Sequence, residues 1–199
     1  MKKISFIFCA LLVINFVQAN KKNYSISSNN IKAGTEVLIG KKKIKLHTGN
    51  DLIAVGKSIF TFLDKKTKFP KLKNKVTLIN VVPSIDTPVC EEQSHILGES
   101  KNINQEISRV TISRDLPMAQ RRFAKEAKLE NIHYISDFND AEFGKKSGLL
   151  MSDNGLLARA VIVTDEKGII RYMQIVPKVS ELPDMKKAIN FANNLATQK

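Results

Sequence analysis

The hydrophobic pattern divides the chain into an apolar leader, a polar lead-in and a long stretch where short apolar runs alternate with amphipathic ones. Ile4 to Val17 is apolar except for Ser5 and Asn15, and Lys2 and Lys3 precede it. Val17-Gln18-Ala19 then puts small or short side chains at the two positions a signal peptidase reads. Residues 1–19 therefore read as a secretory signal cut after Ala19. A membrane anchor would need about 20 apolar residues, and this run is shorter. Residues 20–34, rich in Asn, Ser and Lys, are expected to form a flexible lead-in. That leaves residues 35–199 as one folded domain.

Within the domain, Glu36–Ile39 and Lys43–Leu46 flank Gly40-Lys41-Lys42, which predicts a β-hairpin. Ile59-Phe60-Thr61-Phe62 alternates at the two-residue period, and Lys65–Lys75 is a basic loop containing Pro70. The mostly β-branched run Val76–Val82, stopped by Pro83, predicts a strand buried on both faces. A helix follows from Thr87 to about Leu97, with Gly98 as its expected end. Ile107–Ser113 predicts a second strand, and Asp115 is an expected N-cap for a helix that opens at Pro117 and runs to about Leu129. Ile132–Ile135 reads as a strand, Asp137–Lys146 as a helix and Ala158–Thr164 as another buried strand. Asp165–Gly168 turns the chain back into Ile169–Val176, and Leu182–Leu195 is an amphipathic helix. Alternating strands and helices closed by a hairpin and a last helix describe an α/β, thioredoxin-like fold with an added N-terminal β-hairpin.

Composition narrows the function classes. Hydrophobic residues make up 43% and charged residues 26%, enough apolar material for a packed core. The net charge of +13 would permit adhesion to polyanions, but the lysines are dispersed and Trp is absent. No stacking platform for single strands exists, so a specific nucleic-acid partner is not expected. No segment after the leader is long and apolar enough to span a membrane. His47, His95 and His133 lack ligand spacing with one another and with Cys90, so no metal site is expected. Asp86 is a possible helix cap without a catalytic role.

The two cysteines are not a pair. Cys9 lies inside the apolar run after Phe8, away from the small residues of a lipid-attachment site, and leaves with the signal. The exported chain keeps Cys90 alone in an oxidising, expectedly periplasmic compartment, which flags a reactive thiol. Pro83-Ser84-Ile85-Asp86-Thr87-Pro88-Val89-Cys90 carries a buried strand into a short loop and places Cys90 in the first turn of a helix. Free N–H groups and the helix dipole favour an anion there, so the position suits a thiolate nucleophile. Thr87 can turn its hydroxyl toward the same pocket, and Pro83 can shield it from water. Arg159, in Ala158-Arg159-Ala160-Val161, is an arginine in a buried strand and needs an anion. That anion is either a structural carboxylate or the sulfur of Cys90, and the residues alone leave both open.

The segment from Pro83 to Cys90 resembles the Pro-x-x-x-Thr-x-x-Cys signature of the peroxiredoxins, and Pro-Ser-Ile-Asp-Thr-x-x-Cys is similar to the bacterial thiol peroxidase subfamily. Ser113-Arg114-Asp115-Leu116-Pro117-Met118-Ala119-Gln120, followed by Arg122-Phe123, resembles that subfamily's second signature. Ala158–Val161 resembles the strand that carries its arginine. The resemblance spans roughly residues 35–195, with its motifs in order. It implies a homodimer without metal or organic cofactor, with Cys90 as the peroxidatic cysteine and Thr87, Pro83 and Arg159 around it. It implies a thiol-dependent peroxidase that reduces hydrogen peroxide and organic hydroperoxides and turns Cys90 into a sulfenic acid. One departure matters. Where the subfamily places a resolving cysteine, this chain has Ala124. An internal disulfide cannot form, so an external thiol, either a thioredoxin-like protein or a small molecule, is expected to regenerate Cys90. The same departure admits an alternative: a peroxide sensor that passes its oxidation to a partner with little turnover. Arg114 and Met118 also differ from residues common in the subfamily.

Overall fold

The computed structural model describes residues 35–46, 52–63 and 74–198. The expected signal, the lead-in and most of the basic loop lie outside these. The hairpin pairs β1 (Glu36–Ile39) with β2 (Lys42–Lys45). The main sheet contains β3 (Thr77–Val81), β4 (Ser108–Ser113), β5 (His133–Ser136), β6 (Ala160–Thr164) and β7 (Ile170–Ile175). Its order is β5-β4-β3-β6-β7. β3, β4 and β5 run parallel, while β6 is antiparallel to β3 and β7 to β6. The helices are α1 (Pro88–Glu99), α2 (Pro117–Glu126), α3 (Glu142–Ser147) and α4 (Met185–Ala196). This is the expected α/β arrangement, with the hairpin added at the N-terminal side.

The apolar runs explain the layering. Every residue of β3 and of β6 is buried, as unbroken Val/Ile-rich runs require when both sheet faces are covered. Ile79, Val81, Ile112 and Ile162 face one core, shared with Val37 and Ile44 of the hairpin, Phe62 and Phe143 of α3. Leu78, Val161, Val163 and Tyr172 face the other, covered by Leu97 of α1 and by Ala188, Ile189 and Ala192 of α4. The alternation of the pleat places Asn80 on this second face, beneath α1.

Several local features differ from the pattern. Ile59–Thr61 forms a 3₁₀ turn instead of an alternating strand. Ile59 and Phe62 are both buried, and a turn of three residues brings positions i and i+3 to one side as well as a strand would bring i and i+2. Gly98 does not end α1, which continues through Glu99. Gly98 is needed for close packing: a Cβ there would stand 2.5 Å from Leu129 Cδ2. The α3 helix begins only at Glu142, because Asp137 serves it from outside by accepting hydrogen bonds from the Phe143 and Gly144 N–H groups. Asp115 does not cap α2. The cap position is Leu116, without a side-chain cap bond, and the Asp115 carboxylate is turned toward the loop before α1.

Candidate active site

Val82 and Pro83 end the buried run, and residues 84–87 turn the chain into α1. Thr87 is the N-cap in extended conformation, Pro88 opens the first turn and Cys90 is the third helical residue. The Thr87 carbonyl accepts from the N–H of Cys90 at 3.0 Å and of Glu91 at 2.9 Å. Pro83 is buried and contributes no donor. Cys90 is 0% exposed and packs with Val82 and Ile85, against which Phe123 and Tyr134 also pack. Those two rings meet edge to face, with centroids 6.3 Å apart. Burial pushes the Tyr134 hydroxyl up to about 12, so this wall of the pocket is neutral.

Arg159 precedes β6 and is 2% exposed. Its Nη2 donates to Cys90 Sγ at 3.2 Å. Nε donates to the Val179 carbonyl at 2.7 Å, and Nη1 to Gln93 Oε1 at 2.8 Å and to the Val89 carbonyl at 3.3 Å. No carboxylate forms a salt bridge with it among the described residues. Of the two anions the pattern left open, the sulfur is the one beside the guanidinium. A buried cation surrounded by carbonyls, an amide oxygen and a sulfur has one neighbour able to carry a compensating charge, the thiol of Cys90. The Thr87 hydroxyl is directed elsewhere: it donates to the Ser84 carbonyl at 3.4 Å, and Thr87 is exposed.

Gln93 is a residue the sequence reading does not single out. It lies one turn after Cys90 on the same face of α1 and is fully buried. Its Nε2 donates to the Ala160 carbonyl at 3.1 Å while its Oε1 holds Arg159, so it fastens the guanidinium to the strand. Its backbone carbonyl accepts from Asn80 Nδ2 at 2.9 Å. The available signal was a polar side chain three positions after the cysteine, on a helix face that must be covered.

The remaining candidates separate from this constellation. His95 is on the outer side of α1 between Glu91 and Glu99, with Nδ1 2.8 Å from Glu99 Oε1. Asp86 is exposed and Thr87 holds the cap position. Among the described residues, no group of His, Cys, Asp and Glu could hold a metal ion. Also among them, no helix is long and apolar enough to cross a membrane. Ala124 is buried on α2 and lines a cleft of about 680 Å³ between that helix and β5, together with Gln120, Arg121, Lys125, His133 and Tyr134.

The chain is similar to known proteins. The Redoxin family model matches residues 61–189. A thiol peroxidase from Staphylococcus epidermidis is 38% identical over 139 residues, covering 68% of this chain and 84% of its own. Another, from Oceanobacillus iheyensis, is 38% identical over 121 residues, covering 61% of this chain and 74% of its own. Among solved structures, a peroxiredoxin-like protein from Aquifex aeolicus superposes with a TM-score of 0.69 at 27% identity, covering 84% of this chain and 99% of its own. A thiol peroxidase from Chromobacterium violaceum, 18% identical with a TM-score of 0.67, covers 82% of this chain and 98% of its own and supports the fold. With a matched family model over most of the domain and relatives of this identity and coverage, the chain belongs to the redoxin family, among the bacterial thiol peroxidases of the peroxiredoxin group.

Proposed function

We propose that this chain is a thiol-dependent peroxidase that reduces hydroperoxides with Cys90 as the attacking sulfur. The observation that carries the reading is the buried Arg159 guanidinium, unpaired with any carboxylate among the described residues and 3.2 Å from Sγ. The guanidinium thus gives the attacking sulfur a charge-assisted hydrogen-bond donor at close range. The thiolate attacks one peroxide oxygen, the O–O bond breaks, and the other oxygen leaves as alkoxide or hydroxide and takes a proton from solvent. Cys90 becomes a sulfenic acid. In this reading the Arg159 Nη2 donor meets negative charge as it passes from sulfur to oxygen. Pro83 excludes water behind the sulfur. Thr87 borders the pocket from the solvent side, where rotation of its hydroxyl would let it meet a bound peroxide.

Regeneration uses an external thiol. Cys90 is the free cysteine of the described residues, and position 124 carries alanine. One thiol condenses with the sulfenic acid, releasing water and forming a mixed disulfide. A second thiol attacks that disulfide, leaving with the first and restoring reduced Cys90. A thioredoxin-like protein or a small thiol fits this role. The sensor alternative is not favoured, since the relatives described above are named as peroxidases. The expected leader supports export to the periplasm, and the apolar Leu116 and Met118, exposed at the start of α2, support a homodimer contact there.

Peroxide consumption with dithiothreitol as donor tests the reading. Sustained turnover is expected in the wild type and background loss in Cys90→Ser. Equal rates in the two proteins would overturn it.

A further inference from the structure

The loop that delivers Cys90 is held by a side chain from another part of the sequence. Asp115, between β4 and α2, accepts from Ser84 Oγ at 2.7 Å with one carboxylate oxygen and from the Ile85 N–H at 2.8 Å with the other. Ser84 Oγ in turn accepts from the Asp86 N–H at 3.3 Å. Asp115 is itself fastened, because its carbonyl accepts from Ser136 Oγ of β5 at 2.6 Å. Ile85, the residue pinned by the second bond, is 2% exposed and packs with Cys90. Two hydrogen bonds to one ionised acceptor are among the stronger local restraints available to a short loop.

We infer that Asp115 is a positioning residue for Cys90: its carboxylate clasps the loop of residues 84–86 to the start of α2 and keeps Ile85 closed over the sulfur. The inference deepens the peroxidase reading and rests on it for its kinetic consequence. Two chemical needs conflict at this sulfur. Reaction with a small peroxide needs Cys90 held against Arg159 in a dry pocket. Reaction with a bulkier thiol needs access, and the sulfur is 0% exposed. The clasp sets the balance between these, because releasing it frees Ile85 and the turn that leads into α1 without touching Arg159 or Cys90. Loosening the clasp therefore slows the first reaction and speeds the second, a pair of opposite changes that a general loss of stability does not produce.

The test uses the full reduced chain and the variants Ser84→Ala, Asp115→Asn and Asp115→Ala, each assayed well below its own unfolding midpoint. Two rates are read on each: oxidation of Cys90 by hydrogen peroxide, and alkylation of Cys90 by iodoacetamide without peroxide. In Asp115→Ala oxidation is expected to fall about tenfold and alkylation to rise about tenfold, the scale set by losing hydrogen bonds to a charged acceptor. Ser84→Ala, which removes one bond, shifts both in the same senses by a few-fold. Asp115→Asn falls between, since its amide can accept from Ser84 but opposes the Ile85 N–H. If both rates stay at the wild-type value in the folded variants, or move in the same direction, the clasp is overturned. Should Asp115→Ala fail to fold, Ser84→Ala and Asp115→Asn decide by the same criterion. The alkylation arm needs no peroxide chemistry. A wild type inert to peroxide would sink the peroxidase reading, while the alkylation rates still decide whether Asp115 closes the loop.

Discussion

The starts of α1 and α2 are built alike and behave differently. Each follows a parallel strand of the sheet through a short loop, each opens on a proline, and neither has a side-chain cap bond. Each therefore presents the positive end of a helix dipole. At the third position α1 carries Cys90, 0% exposed and in contact with a guanidinium. At the third position α2 carries Ala119, behind Leu116 and Met118, which are 38% and 62% exposed. A helix start is thus a weak bias toward an anion. What turns one of the two into a site is enclosure by Val82, Ile85, Phe123 and Tyr134, together with a cation delivered by Arg159 just before β6.

Removing that cation should make α1 resemble α2. In Arg159→Ala the rate of Cys90 oxidation by peroxide is expected to fall about 10²- to 10³-fold, the usual loss for one electrostatic donor at a reacting centre. The denaturant midpoint should fall less in proportion, because the carbonyl groups of Val179 and Val89 can be rehydrated. A large loss of stability with an unchanged rate would show the arginine to be structural.

The second break concerns how the two helices cooperate. After one equivalent of peroxide the wild type is expected to gain one oxygen, whereas Ala124→Cys should lose two hydrogens as α2 supplies the missing sulfur. Intact mass distinguishes them. An Ala124→Cys product that only gains oxygen would mean that α2 cannot approach Cys90 in this chain.

A third helix start sharpens the contrast, because α3 is served by a carboxylate. Asp137 is held above the usual carboxylate range by burial, although the Gly144 and Phe143 N–H groups and Arg114 oppose this. A carboxyl whose folded value is raised contributes stability that is present below its unfolded value and lost as pH rises through the folded one. Relative to Asp137→Asn, the wild type should therefore gain stability as pH falls toward the carboxylate range. Denaturant midpoints of both proteins across that range check the sign, and a constant difference would contradict it.

The smallest effect is expected from transplanting the sulfur. Ala119→Cys in a Cys90→Ser background places a thiol at the matching position of α2 and should give no measurable gain in peroxide consumption. Restored turnover would mean that a helix start suffices.

The regular elements were legible where one physical rule dominated. The Val76–Val82 and Ala158–Thr164 runs read as strands because burial on both faces demands continuous apolar residues, and β3 and β6 lie within them. Pro117 marked a helix opening because a residue without an N–H is tolerated in the first turn. Ile59–Phe62 read as alternating and formed a 3₁₀ turn, since a short apolar run satisfies periods of two and of three alike. Gly98 read as a terminator because its contact with Leu129, from a distant segment, has no local signature.

By itself, then, the chain determined its strands and helices, their order, and a cysteine set in the first turn of a helix. These follow from periodicity and from backbone groups that must be satisfied within a few residues. Tertiary structure alone decided which anion Arg159 meets, 69 residues away from Cys90. It also decided that Gln93 holds that arginine, and that Asp115 closes a loop 30 residues earlier instead of capping its own helix. The reason is the same in each case. A polar side chain near a helix start or strand end has several partners of equal chemistry within reach, and only packing of the sheet against its helices removes all but one from water.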